Sequence, residues 1–184
     1  MKFTECEKAL KTLIEGETNA VATYTLYAAT AEKENLPIVA KLFKALAKAE
    51  TIHIENHNRA LGYEYRPTPT PNKVGTTELN LREAIDGETH EAKTLYPTLI
   101  KKIKHETNEK AGKVAKLSMV WASKAEKVHA EHLKKAFNSV KNGDDFTAKK
   151  VLVCRVCGNV EIDPTDESEC DVCGHDFLFF DREA

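Results

Sequence analysis

Five glutamates stand where a water-soluble helix carries its apolar residues. Glu17 lies four residues after Leu13 and seven before Tyr24. Glu50 lies four after Leu46 and four before Ile54. Glu88 follows Leu81 by seven and Ala84 by four, and Glu91 comes one turn later. Glu126 lies four after Ala122 and seven before Leu133. At 3.6 residues per turn, these steps put every one of the five on the buried stripe of its helix. A buried carboxylate is costly unless it is paired, hydrogen-bonded or bound to metal. One such residue could be an ordinary polar core position. Five, spread over four helices, require a common partner.

The helices are read from periodicity and end signals. Thr4-Glu5-Cys6-Glu7 is a capping box, and Leu10, Leu13, Ala20, Tyr24 and Tyr27 then recur at helical steps, predicting a first helix to about Glu34. Pro37 opens a second helix whose apolar face carries Leu42, Phe43, Leu46, Ile54 and Leu61, and Gly62 stops it. Residues 63–78 contain Pro67, Pro69 and Pro71 at alternate positions and predict a long extended connection. A third helix is predicted from near Asn80, with Glu83 closing a capping box, and Pro97 should kink it or shift its hydrogen bonding. A fourth is predicted from about Asn108 to Val140, with Val114, Leu117, Ala122, Leu133 and Phe137 on one side. Asn142-Gly143-Asp144 ends it. Short, long and short connections imply a mainly α chain, with a four-helix bundle of the one-crossover, ferritin-like kind over residues 1–146.

Two of the glutamates have a histidine three residues on, in Glu50-x-x-His53 and Glu126-x-x-His129. That spacing projects both side chains the same way, so each pair can share a metal. Glu-x-x-His on two helices and a Glu from each of the other two is the donor set of dinuclear carboxylate bundles. Carboxylates bridge cations and offset their charge, and imidazole suits iron. There is also an internal echo: Glu17 precedes Glu50-x-x-His53 by 33 residues, and Glu91 precedes Glu126-x-x-His129 by 35. Glu55, His57, Glu131 and His132 either leave the shared stripe or lack a counterpart, and are not assigned to the site.

Beyond residue 146 the helical pattern is lost. Residues 147–184 form a short, strand-prone unit, too small to hold a core unaided, with Cys154-x-x-Cys157-Gly158 and Cys170-x-x-Cys173-Gly174 separated by 12 residues. Two such knuckles predict a four-thiolate site suited to zinc or a single iron. Cys6 stands far from them and receives no role. Lys and Arg total 27 against 29 Asp and Glu, with no basic stripe, which gives no support for nucleic-acid binding. No apolar run approaches the ~18 residues of a membrane span, and MKFTECEKAL lacks the apolar core of a signal peptide, so the expected location is cytoplasmic.

On these motifs the chain resembles the rubrerythrins over nearly its whole length. The resemblance rests on Glu15-Gly16-Glu17-Thr18, Glu50-x-x-His53, Gly87-Glu88 with Glu91, Glu126-x-x-His129, Tyr96-Pro97 and the two knuckles. It implies that Glu50 and Glu126 bridge two irons, that Glu88 and His129 complete one, and that Glu17 binds the other with Glu91 or His53, exchanged on reduction. It places Tyr24 and Tyr96 beside the ligands and a rubredoxin-like iron, or zinc, at Cys154, Cys157, Cys170 and Cys173. It further implies reduction of hydrogen peroxide with electrons from rubredoxin or an NAD(P)H-dependent reductase. Efficient electron transfer requires the two sites to be close, so the tail is expected to reach the bundle of a partner chain in a homodimer or larger assembly. The alternative is iron oxidation and storage, with a structural zinc tail. The second knuckle departs from the family in having no proline after Cys170, where Asp171 stands.

Overall fold

The computed structural model describes residues 4–106 and 110–181. Helices α1 (Glu5–Lys33) and α2 (Pro37–Leu61) form one antiparallel pair. The other pair is α3 (Thr77–His90), continued by a π-helical turn (Glu91–Leu95) and α4 (Tyr96–Lys102), against α5 (Lys110–Lys141). A small antiparallel sheet of β1 (Val151–Cys154), β2 (Val160–Ile162) and β3 (Phe180–Asp181), ordered β2-β1-β3, completes the chain. Among the described residues, no helix is long and apolar enough to cross a membrane.

The helix ends are held partly by local caps and partly by carboxylates from far along the chain. Thr4 accepts a hydrogen bond from Glu7 N at 3.1 Å, as the capping box requires. The carboxylate of Glu106 then accepts from Glu5 N and Cys6 N at 2.9 and 3.0 Å. Helix α2 begins at Pro37 without a side-chain cap of its own. Asp145 supplies one instead, accepting from Ile38 N at 2.8 Å and Val39 N at 3.1 Å. Gly62, at φ 84°, ends α2 in the left-handed conformation that glycine adopts without strain.

The long connection crosses the length of the bundle. Tyr65 donates to Glu15, Thr70 N to Asn19 and Asn72 N to Thr23, and the Tyr27 hydroxyl reaches Lys73 O. The link therefore climbs α1 from one end towards the other, which delivers α3 antiparallel to α1, with Glu83 and then Glu88 meeting Tyr27 and then Tyr24. Helix α3 starts earlier than the sequence pattern predicted, with Thr76 as its cap. Asn80 instead folds back to Gly75 N and O, and Glu83 accepts from the Tyr27 hydroxyl. These partners come from the link and from α1, which local periodicity does not reveal.

Pro97 acts as expected. It has no N–H for the carbonyl four residues back, and the Tyr96 N–H bonds to Glu91 O across five residues, which is the π-helical turn. In α5 the predicted face needs correction. Val114 and Leu117 are 38% and 46% exposed, whereas Ala115, Ser118, Met119 and Ala122 are buried. Small residues permit close helix approach, and they set the phase of the buried stripe against two larger apolar neighbours. The predicted start at Asn108 lies outside the described residues.

Two hydrophobic clusters result. One holds Tyr24, Tyr27, Phe43, Leu46, Leu81 and Leu133; the other holds Leu10, Leu13, Tyr96, Leu99, Ile103 and Met119. The glutamates lie in the layer between them. The tail docks on its own bundle: Val151, Val153 and Val160 join the first cluster, and Trp121 and Val128 of α5 pack against a third built around the cysteines.

Replacing Asp145 with Ala removes both acceptors at the start of α2. A loss of about 1–2 kcal/mol of stability is expected, within the range for a lost helix cap. Urea denaturation checks this, and Asp145→Asn, which keeps one acceptor, should recover part of the loss.

Candidate metal centres

The bundle layer brings six of the seven predicted ligands into two overlapping groups. Glu17, Glu50, His53 and Glu126 offer donor atoms within 4.8 Å of one another, and so do Glu50, Glu88, Glu126 and His129. Glu50 and Glu126 belong to both. All six residues are buried. Two adjoining sites that share two carboxylates form a dinuclear cage, the shared pair standing where bridging ligands would.

Hydrogen bonds around the cage fix which atoms face inward. His53 Nε2 lies 3.0 Å from Cys157 O, and His129 Nε2 lies 3.1 Å from Gly158 O. A backbone carbonyl only accepts, so each Nε2 carries the proton and each Nδ1 presents a bare lone pair. Those Nδ1 atoms point at carboxylate oxygens: His53 Nδ1 is 2.9 Å from Glu50 and 3.0 Å from Glu126, and His129 Nδ1 is 2.8 Å from Glu126 and 3.4 Å from Glu88. Lone pairs facing lone pairs repel unless a cation stands between them. Tyr24 donates to Glu88 Oε1 at 2.5 Å, and Tyr96 donates to Glu17 Oε1. Each tyrosine thereby occupies one oxygen of its glutamate and leaves the other inward.

The unsatisfied atoms test whether metal fits. Glu17 Oε2, Glu50 Oε1, Glu88 Oε2, both Glu126 oxygens and His129 Nδ1 are buried without a hydrogen-bond partner. Such orphans are rare in a folded core. Burial, then the crowding of neighbouring carboxylates, pushes Glu17 and Glu50 well above the usual carboxylate range. Burial, then Glu88 among the neighbouring carboxylates, does the same to Glu126, against the pull of His53. Glu88 goes the other way despite its burial, because His129 favours its charged form. A set of hard oxygen donors and two imidazoles aimed at one dry layer suits two cations.

Glu91 takes a different place. It belongs to neither group, and one of its oxygens would lie 3.8 Å from a Cβ at Gly16. It opens the π-helical turn and lines a crevice of about 190 Å³ with Gly16, Asn19, Tyr24 and Gly87. Burial and Glu88 push its pKa up to about 8. The structure thus shows the arrangement in which His53, not Glu91, stands with Glu17.

The four cysteines meet as predicted. The Sγ atoms of Cys154 and Cys173 are 3.7 Å apart, and those of Cys157 and Cys170 are 3.5 Å apart. These approach the ~3.8 Å edge of a tetrahedron with metal–sulfur bonds of about 2.3 Å. Gly158 N and Gly174 N close the knuckles onto Cys154 O and Cys170 O at 2.9 and 2.8 Å, with φ of 79° and 71°.

Sequence reasoning passed over several residues that the structure brings in. His57 is wholly buried, 3.0 Å from the Tyr96 hydroxyl and 3.0 Å from Ser118 Oγ. Its signal was present, since it lies one turn beyond His53 on the same stripe. His132 Nε2 bonds to Val160 O and Asn56 to Val156 O, so both hold the tail. Gly158 has the closest approach: a Cβ there would collide with His53 Nε2, and would meet His53 Cδ2 at 2.7 Å and Ala49 O at 2.9 Å. A Cβ at Gly174 would meet nothing within 4 Å.

Comparison with known proteins agrees with this geometry. A family profile described as Rubrerythrin matches residues 8–137. The chain is 34% identical to Rubrerythrin-2 of Clostridium acetobutylicum, over 90% of this chain and 89% of that protein. It is 36% identical to nigerythrin of Nitratidesulfovibrio vulgaris, over 89% and 79% respectively. A solved structure titled as the fully reduced, all-ferrous state of nigerythrin superposes with a TM-score of 0.85 at 32% identity, covering 98% of this chain and 88% of that one.

The two knuckle glycines form an internal control. Alanine at either position carries a left-handed backbone cost of roughly 1–2 kcal/mol. Gly158→Ala alone should also lift the tail from α2. Trp121, the single tryptophan, packs against the cysteine cluster and reports that docking. In zinc-loaded protein its fluorescence should shift to the red in Gly158→Ala and stay near wild type in Gly174→Ala.

Proposed function

Because the chain belongs to the rubrerythrin family, we propose that it is a peroxidase that reduces hydrogen peroxide to water at the carboxylate cage, with electrons entering through the four-cysteine site. The cage is a di-iron site, and the cysteines are a rubredoxin-like metal site appended to a ferritin-like bundle. The observation that carries the reading is the direct link between the two centres. The carbonyls of Cys157 and Gly158, inside and just after the first knuckle, accept hydrogen bonds from the outward nitrogens of His53 and His129. A metal that merely stiffened the tail would need no such contact with the cage.

When bound, two ferrous ions would supply the two electrons that convert H₂O₂ and two protons to two waters, and iron at the cysteines would replace those electrons singly. The chain's own residues define the rest. Glu50 and Glu126 are the shared ligands; Glu88 and His129 complete one half, and Glu17 with His53 or Glu91 the other. Tyr24 and Tyr96 hold the glutamates by one oxygen each and orient them. The two hydrophobic clusters exclude bulk water from above and below the layer. The crevice at Glu91 gives a small oxidant a route to the wall of the cage. Support for exchange between His53 and Glu91 comes from their placement, one inside the Glu17 group and one at its edge.

The proposed setting is the cytoplasm, which suits five unpaired cysteines. The proposed donor is rubredoxin or an NAD(P)H-dependent reductase, and the proposed assembly is a homodimer or larger.

The test is to count metals per chain, reduce the protein without air, and mix it with peroxide or with O₂. Rapid peroxide-driven reoxidation of both iron types, faster than with O₂, is expected. Inertness towards peroxide, or a tail that takes only zinc when iron is ample, overturns the relay. His53→Leu should slow turnover by at least about tenfold, as loss of a metal-site group does. Unchanged turnover and unchanged reduced-state iron spectra would remove the exchange from the proposal.

A further inference from the structure

The carboxylate cage has a near-two-fold pattern that one residue breaks. His57 follows His53 by four positions, and Leu133 follows His129 by four. Both are wholly buried, yet only the first can hydrogen-bond. His57 sits at the centre of a chain that starts at Ser118 Oγ, which is 3.0 Å from Nδ1, passes from Nε2 to the Tyr96 hydroxyl at 3.0 Å, and ends at Glu17 Oε1.

Proton counting gives this chain a direction. A carboxylate that binds metal is ionised and can only accept. The single phenolic proton of Tyr96 is therefore committed to Glu17, and the Tyr96 oxygen is left as an acceptor. The group facing it, His57 Nε2, must donate. Nδ1 is then bare, and the Ser118 hydroxyl, which also has Ala115 O at 2.9 Å as a competing acceptor, turns its one proton to Nδ1. Burial and the nearby His53 keep His57 neutral, with a pKa pushed down to about 3. The other oxygen of Glu17, Oε2, is buried and unpartnered.

We propose that His57 is a positioning residue for the cage: by donating to the Tyr96 hydroxyl it commits the phenolic proton to Glu17 Oε1, and so reserves Glu17 Oε2 for metal. The device serves only the half of the cage that contains His53 and lies nearer Glu91. In that half one ligand is exchangeable in the proposed function, and a glutamate pinned by one oxygen stays constant while its neighbour changes. At the other half Tyr24 reaches Glu88, and Leu133 fills the matching position. The inference rests on the dinuclear reading of the cage.

Cobalt(II) titration of the full chain tests it without turnover. Wild type should take two cobalt ions in the cage, seen as d–d absorption, and one at the cysteines, seen as thiolate charge transfer. His57→Leu should weaken cage binding by about tenfold, as loss of a group that orients a metal ligand does. It should also alter the d–d bands while leaving the cysteine band intact as a mark of folding. His57→Gln, which restores an amide donor, should recover most of the affinity. Tyr96→Phe should match His57→Leu, and the double variant should be no weaker than Tyr96→Phe alone. Wild-type affinity and spectrum in His57→Leu, or fully additive effects in the double variant, would overturn the proposal. Should His57→Leu lose the cysteine band as well, Ser118→Ala decides: a smaller change in the same d–d bands supports the chain, and no change overturns it. A wild-type chain that binds cobalt only at the cysteines overturns the dinuclear reading and this inference with it.

Discussion

The structure is organised around carboxylates buried together in one dry layer. Taking even one ion out of water costs several kcal/mol in a real protein. Here Glu17, Glu50, Glu88 and Glu126 share a layer with two imidazoles, and no lysine or arginine reaches them among their described ion pairs. Burial, reinforced by their mutual repulsion, raises three of the four well above the ordinary range. Compensation must come from cations. The rest of the bundle can be read as what is needed to keep such a layer in place: an apolar cluster on either side, and helix ends secured by distant partners.

Those distant partners explain why the bundle closes in one way. Glu106 caps α1, Asp145 caps α2, and Glu34 accepts from Thr77 N at the start of α3. Each carboxylate sits beyond the helix it serves, so each cap forms only when the tertiary arrangement is correct. The crossover adds backbone bonds along α1 for the same purpose. Together they hold the four ligand-bearing stripes in register, which metal sites demand to within fractions of an ångström.

A second economy lies in the histidines. One nitrogen of His53 and of His129 faces the cage, and the other holds the cysteine tail. The same hydrogen bond that selects the tautomer also joins the two centres. Gly158 makes this possible, since any side chain there would occupy the position of the His53 ring. Gly174 has the same left-handed backbone in the second knuckle but no such neighbour, so the glycine of a knuckle is a local requirement and the glycine at 158 also lets the tail pack against α2.

The donor set was legible in the amino-acid order alone. Carboxylates at apolar phase, Glu-x-x-His repeated on two helices, and paired cysteine knuckles are periodic or local patterns, and local geometry was enough to place them. Pro97 was legible for the same reason, because a missing N–H acts on its own turn. The remaining features depend on how the helices pack. It moved the start of α3 to Thr77, because Asn80 and Glu83 answer to the link and to Tyr27. It turned Val114 and Leu117 outward, because Ala115 and Ser118 permit closer helix approach. It set Glu91 at the wall of the cage and His53 inside it. It brought His57 to Tyr96 and Gly158 to His53, residues 39 and 105 positions apart. The physical reason is common to all of these: hydrogen-bond partners and close contacts are chosen among groups far apart in the chain, and a repeat of 3.6 residues carries no record of them.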